Sequence, residues 1–158
     1  MQHTAAVLDT PIGKISLHTD NQYLLEIQFR HSNTQTFSDD RPLTKTISKV
    51  LLAFFKTPHR PFDIPLKTLG TDFQKRVWRA MSNIPAGEVR TYQDLANLLQ
   101  TSPRAIGNAC RANPIPLLIP CHRVVAKNGL GGFSGKTKGA MLSIKEWLLN
   151  NEQNRTAH

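Results

Sequence analysis

The stretch Ile119-Pro120-Cys121-His122-Arg123-Val124-Val125 sets a thiol beside an imidazole and a guanidinium, between apolar runs. Three readings of Cys121 are open: a core residue, a metal ligand or a nucleophile. A cysteine attacks as its thiolate, which a neighbouring base or cation populates. Successive side chains on an extended chain point to opposite faces, so Cys121 and His122 make a working pair only if the chain turns at Pro120. Glu152 lies four residues after Leu148 and follows the inward stripe of a C-terminal helix. There it would orient the histidine, as the acid of a triad does; in a frayed last turn it would do nothing. A zinc site needs clustered Cys and His. The two cysteines, Cys110 and Cys121, form no CxxC pair, and His3, His18, His31, His59, His122 and His158 are scattered, so neither a metal nor a cofactor is expected.

The elements that must position these groups follow from periodicity. Residues 5–29 alternate as strands do, with Ile15 and Leu17 opposing Lys14, Ser16 and His18, and Leu25, Ile27 and Phe29 opposing Glu26 and Gln28. Asp20-Asn21 marks the turn between them. Residues 30–41 are polar and loop-like. From Pro42, the spacing of Leu43, Ile47, Val50, Leu51 and Phe54 predicts a helix ending before Thr57-Pro58. Phe62 to Leu66 reads as an edge strand or a linker, because Pro61 and Pro65 forbid a central strand. Then the pattern turns helical. Thr71 to Gln74 is a capping box ahead of Phe73, Val77 and Met81. Thr91 to Asp94 caps a second helix with Leu95, Leu98 and Leu99 behind it. Ser102-Pro103 opens a third, running to about Ala112. Residues 113–120 read as an extended, proline-punctuated run that delivers Cys121. Lys127-Asn128-Gly129 is a hairpin signal, 131–135 a glycine-rich loop, and 139–152 a last helix with Met141, Ile144 and Leu148 near one face.

Bulk properties narrow the class. The 158 residues are 39% apolar, enough for a packed core but without a membrane-spanning run. No signal-peptide pattern opens the chain, and both cysteines read as thiols of a reducing cytosol, so a cytoplasmic protein is expected. The net charge of +9 is uneven: residues 1–66 carry +1 and residues 67–158 carry +8. A polyanionic partner is the natural inference, a solvated basic surface the alternative. Two short helices joined by a tight turn in the basic half suggest a helix-turn-helix. The second bears small residues, Ala105, Gly107, Asn108 and Ala109, which reach few base edges but let backbone approach a narrow minor groove.

At these residues the sequence resembles a family. Residues 113–125, Asn-Pro-Ile-Pro-Leu-Leu-Ile-Pro-Cys-His-Arg-Val-Val, are similar to the active-site motif of the O6-alkylguanine-DNA alkyltransferases. The likeness extends through residues 87–96, Arg104-Ala-Ile-Gly, Gly-Phe-Ser-Gly135 and residues 145–152. It implies an α+β fold: a small N-terminal α/β domain with an antiparallel, RNase H-like sheet (1–66), then a mostly helical domain with a winged-helix-like helix-turn-helix (67–158). It implies that Cys121 accepts the alkyl group, His122 deprotonates it through a water, and Glu152 holds the histidine. Asn113 would be a hinge, and Tyr92 would rotate the nucleotide and protonate the guanine. Arg104 would fill the vacated stack. The DNA-facing set would be Arg104, Tyr92, Ala105, Gly107, Asn108 and Arg111; the pocket set Cys110, Pro116, Val124, Phe133, Ser134 and Gly135. Three departures stand out: Phe133 where a tyrosine is common, a shorter segment between Tyr92 and Arg104, and an extension at 136–143 that adds Lys136 and Lys138.

The reaction so implied is a single transfer from O6-alkylguanine in double-stranded DNA, with O4-alkylthymine as a second candidate lesion. The protein would act as a monomer, with cooperative binding along DNA left open. A lesion-binding module without transfer and a Cys-His hydrolase unrelated to DNA are the competing readings. Relatives of the first kind lack the acceptor cysteine, and a hydrolase does not account for the basic helix-turn-helix half.

Overall fold

The computed structural model describes residues 2–133 and 139–154. The chain divides into two compact units, Met1–Leu69 and Gly70–His158; the sequence places its break after residue 66.

In the first unit β1 (His3–Thr10), β2 (Gly13–Thr19) and β3 (Leu24–Arg30) form an antiparallel meander. A short β4 (Phe37–Ser38), inside the segment read as loop, pairs with β1 to give the order β3-β2-β1-β4. α1 (Pro42–Lys56) packs on β1 and buries Ile47, Leu51, Phe54 and Phe55. One expected core position is wrong. The register runs Leu17 to Ile27 and then Thr19 to Leu24, so a bulge skips Leu25. Leu24, not Leu25, is fully buried. One extra residue on a strand flips every later side chain to the other face. The end of the 62–66 segment meets the edge of β3: Leu66 bridges Leu24 in parallel, and Leu24 N–H donates to the Pro65 carbonyl at 2.9 Å.

The second unit contains α2 (Asp72–Ser82), α3 (Tyr92–Leu99), α4 (Pro103–Arg111) and α5 (Ala140–Asn154). The start signals of the first three act as read. Thr71 with Gln74 and Thr91 with Asp94 both close capping boxes, and Ser102 accepts from Ala105 N–H ahead of Pro103. α3 ends at Gln100, whose φ of 56° puts a non-glycine residue in the left-handed region. α3 and α4 pack together as the helix-turn-helix. Its buried members are Leu95, Ala96, Ile106 and Ala109, whereas Leu98 is 68% exposed. α2 packs on α4, fastened by Trp78 Nε1–H donating to the Ala109 carbonyl at 2.9 Å.

Residues 113–120 are not extended. Ile119 N–H returns to the Ile115 carbonyl at 2.9 Å, Leu117 adopts a φ of 78°, and the run ends in a 3-10 turn, Cys121–Arg123. Three prolines and a buried apolar cluster at Ile115 and residues 117–119 favour this knot over a strand. β6 (Val124–Val125) follows and pairs in parallel with β5 (Arg90–Thr91). On α5 the buried stripe is Lys145, Leu148 and Glu152; of the expected stripe Leu148 is buried, whereas Met141 and Ile144 are half-buried. No helix among the described residues is long and apolar enough to cross a membrane.

Candidate active site

One 3-10 turn carries both Cys121 and His122. In a turn, neighbouring side chains are no longer held on opposite faces, and Cys121, His122 and Arg123 are all buried. Asn113 fixes the turn from behind. Its Nδ2 donates to the Ile119 carbonyl at 2.8 Å, and its Oδ1 accepts from Ile115 N–H at 3.0 Å. The Ile119 carbonyl also accepts Cys121 N–H at 2.8 Å.

Glu152 is 1% exposed, buried in the last turn of α5 rather than frayed into solvent. His122 Nε2 lies 2.7 Å from its Oε2. Arg123 grips the same carboxylate in a fork, Nε to Oε1 and NH2 to Oε2, both at 3.0 Å, and spends NH1 on the Ile84 carbonyl at 2.8 Å. Such two-pronged pairing fixes orientation as well as distance. Burial alone would raise the Glu152 carboxyl, but hydrogen bonds and charge from His122 and Arg123 outweigh it and hold it at about 2. Burial pushes His122 below its ordinary value, against the pull of Glu152, and the Arg123 charge pushes the same way. The resting pair is therefore a neutral imidazole on a carboxylate. Since an ionised carboxylate only accepts, Nε2 carries the hydrogen and Nδ1 is the basic nitrogen.

Burial also raises the Cys121 thiol, opposed by a hydrogen bond from Asn113 and by the Lys145 charge. A thiol raised in this way calls for a base: proton transfer to His122 would create a thiolate and an imidazolium together, and the Glu152 carboxylate would stabilise the cation. Lys145 is the member that sequence reasoning missed. It is fully buried, with Nζ donating to the carbonyls of Val124 (2.6 Å), Leu130 (2.5 Å) and Gly132 (2.9 Å). Burial lowers it to about 8, opposed by the two nearby thiols. The only local signal was its place on α5, three residues before Leu148 and seven before Glu152.

Tyr92, at the start of α3, is half-buried: burial raises its phenol, opposed by a backbone hydrogen bond from Gly132. Gly131 gives it room. With φ at 75°, a Cβ there would sit 2.8 Å from Tyr92 Cε2 and 2.9 Å from its hydroxyl. Of the expected pocket residues, Pro116, Val124 and Phe133 are buried and Cys110 is partly exposed. Ser134, Gly135, Lys136 and Lys138 lie outside the described residues. On α4, Arg104, Asn108 and Arg111 are exposed, and with Gly107 they follow one helical face, spaced i, i+3, i+4, i+7. Gly107 has nothing within 4 Å of an added Cβ. Ala105 and Asn108 also line a groove of about 250 Å³ with Thr71, Phe73 and Gln74. No cluster of three metal-ligating side chains occurs among the described residues.

Comparison with known proteins gives this arrangement a family. The pattern described as "6-O-methylguanine DNA methyltransferase, DNA binding domain" matches residues 72–154. The methylated-DNA--protein-cysteine methyltransferase of Methanosarcina mazei is 36% identical over 155 residues, 94% of this chain and 96% of that protein. The chain belongs to the O6-methylguanine DNA methyltransferase family. A methylated-DNA--protein-cysteine methyltransferase of Candida albicans is 44% identical over 131 residues, 81% of this chain and 70% of that protein. The crystal structure of Mycobacterium tuberculosis OGT in complex with DNA aligns with a TM-score of 0.77 at 32% identity, covering 94% of this chain and 92% of that one. As a member of the O6-methylguanine DNA methyltransferase family the chain is a DNA-binding methyltransferase of DNA repair that acts by alkyl transfer.

The tight seat of Tyr92 yields a measurable expectation for this methyltransferase. Gly131→Ala should displace the phenol ring and slow alkyl transfer about 10- to 100-fold, since misplacement of about 1 Å costs up to that much. Circular dichroism should stay native. An unchanged single-turnover rate would remove Tyr92 from the machinery.

Proposed function

We propose that Cys121 takes the alkyl group from O6-alkylguanine, and from O4-alkylthymine where it fits, after the nucleotide has been rotated out of duplex DNA into the site on the second unit. The observation that carries this reading is a buried thiol next along the chain to a buried histidine, whose carboxylate partner is locked by Arg123. The alkyl carbon of such a lesion is shielded inside the stack, so the base must leave it, at a cost of a few kcal/mol. The exposed α4 face supports minor-groove docking: small residues permit close approach, and Arg104 and Arg111 bracket them.

In the transfer itself, His122 takes the thiol proton through a water. The thiolate attacks the alkyl carbon, the carbon–O6 bond breaks, and Tyr92 donates a proton toward the guanine anion. Asn113 holds the turn, and Cys110, Pro116, Val124 and Phe133 wall the pocket. The thioether product does not leave, so each molecule acts once, as a monomer in a reducing cytoplasm.

The deciding test is intact mass and peptide mapping after mixing with duplex carrying one O6-methylguanine. One methyl on Cys121, saturating at one per molecule, is expected. Folded protein that binds the lesion and gains no mass would make this a recognition module. For the α4 face, Arg104→Ala should slow repair of duplex roughly 100-fold, the worth of a few kcal/mol of unstacking, yet slow reaction with free O6-benzylguanine far less. Equal losses on both substrates would remove the stack-filling role.

A further inference from the structure

Cys110 forms and breaks no bond in the reaction above, where it only walls the pocket, yet it shares a charge environment with the acceptor. Its Sγ points into the unit, 3.5 Å from Met81 Sδ. Its carbonyl accepts Asn113 N–H at 3.2 Å, and Asn113 reaches on to the Ile119 carbonyl, which also holds Cys121 N–H. One asparagine thus ties the two cysteines to opposite ends of a short closed loop. Both sulfurs act on the Lys145 ammonium and on the Tyr92 phenol, and ionising one opposes ionising the other. Both are free thiols.

From this shared clasp we infer that Cys110 and Cys121 form an oxidisable dithiol site, in which Cys110 resolves a hydroperoxide-oxidised Cys121 as an intramolecular disulfide. The inference rests on Cys121 being the nucleophile proposed above. The steps balance. The Cys121 thiolate attacks a peroxide oxygen; the O–O bond breaks, hydroxide leaves, and the sulfur becomes a sulfenic acid. The Cys110 sulfur then attacks that sulfur, the S–S bond forms, the S–O bond breaks, and the Cys110 proton departs with the oxygen as water. Two thiols lose two hydrogens in all, and one hydroperoxide is reduced.

The neighbouring base sets the order of events: His122 adjoins Cys121 and not Cys110. Burial, meanwhile, holds the Cys110 thiol up at about 12. Once Cys121 is a neutral sulfenic acid, the charge that opposed Cys110 ionisation is gone, while Lys145 still favours it. The disulfide would shelter the acceptor from irreversible oxidation and return it on reduction.

The test treats the full chain with hydrogen peroxide and maps it without reductant. Expected is loss of two hydrogens, one peptide joining Cys110 to Cys121 within a single chain, and return of both thiols with dithiothreitol. Cys110→Ser should instead gain oxygens on Cys121, with recovery of thiol at least about 10-fold lower than in the native chain. The inference is overturned if native protein accumulates oxygen on Cys121 as fast as Cys110→Ser does, if the joined peptides come from two chains, or if peroxide leaves Cys121 untouched. The native map decides even if the variant fails to fold. Because the readout is mass without DNA, a disulfide that forms in protein inert toward O6-methylguanine would sink the proposed function and leave this site standing.

Discussion

Cys121→Ala is expected to abolish alkyl transfer, by on the order of ten-thousand-fold or more, while the protein still folds and binds duplex DNA. The loss should be complete in kind because no other group can replace the sulfur. Asn113 and Lys145 favour its thiolate, but neither is a nucleophile placed on the lesion. Cys110 is held at about 12, so it does not rescue the variant. Folding should survive because alanine removes one buried sulfur from a turn fixed by backbone bonds and by Asn113. The check is a pair of measurements on one preparation: methyl uptake by mass, and duplex binding by titration at fixed salt. A variant that unfolds would return Cys121 to the core residues; one that still takes up a methyl would move the acceptor elsewhere.

The second large effect belongs to Glu152. Glu152→Ala strips the partner from a buried guanidinium, which costs about 3–5 kcal/mol in comparable sites. The melting temperature should fall by roughly 10 °C or more. Glu152→Gln separates shape from charge. It should keep most of the packing, slow transfer through the loss of imidazolium stabilisation, and alter the acid limb of stability. Glu152 takes up its proton near 4.5 when unfolded and near 2 when folded. Its ionised form therefore stabilises the fold above pH 4.5 by about 3 kcal/mol, at about 1.4 kcal/mol per pKa unit, and that stability disappears as pH falls from 4.5 to 2. His122, lowered by burial, adds loss in the same direction beginning below 6.5. Urea titrations across this range should show the steep loss in native protein and a flatter course in Glu152→Gln. Parallel curves would mean that the carboxylate is not held by its cations.

What the sequence made legible was mostly what neighbours decide. Thr71 with Gln74, Thr91 with Asp94 and Ser102 with Pro103 specify helix starts within four residues, and each start formed as read. Cys121, His122 and Glu152 can be named from the family motif, because their spacing alone leaves the thiol open between core and nucleophile and Glu152 open to a frayed last turn. What escaped depends on distant partners. Lys145 looks like a surface lysine until its three acceptors, one near the active-site turn and two in the following loop, close around it. Arg123 looks like one more basic residue until it meets Glu152 and Ile84. Leu25 fits a strand alternation that a bulge breaks, and Leu98 fits a helical stripe whose neighbours end beside it. The knot at 113–120 was hidden because proline-punctuated apolar residues read equally as a strand or as a compact turn.

The hinge at Asn113 also bears on how this protein ages. An asparagine loses its amide when the next residue's backbone nitrogen attacks the side chain, leaving a carboxylate. At Asn113 that next residue is Pro114, which has no N–H and cannot make the attack. The side chain that steadies the thiol is thereby shielded from becoming an anion beside it. The exposed Asn128-Gly129 turn has no such protection. Slow deamidation in storage should therefore add negative charge at that surface turn and leave the chemistry of Cys121 untouched.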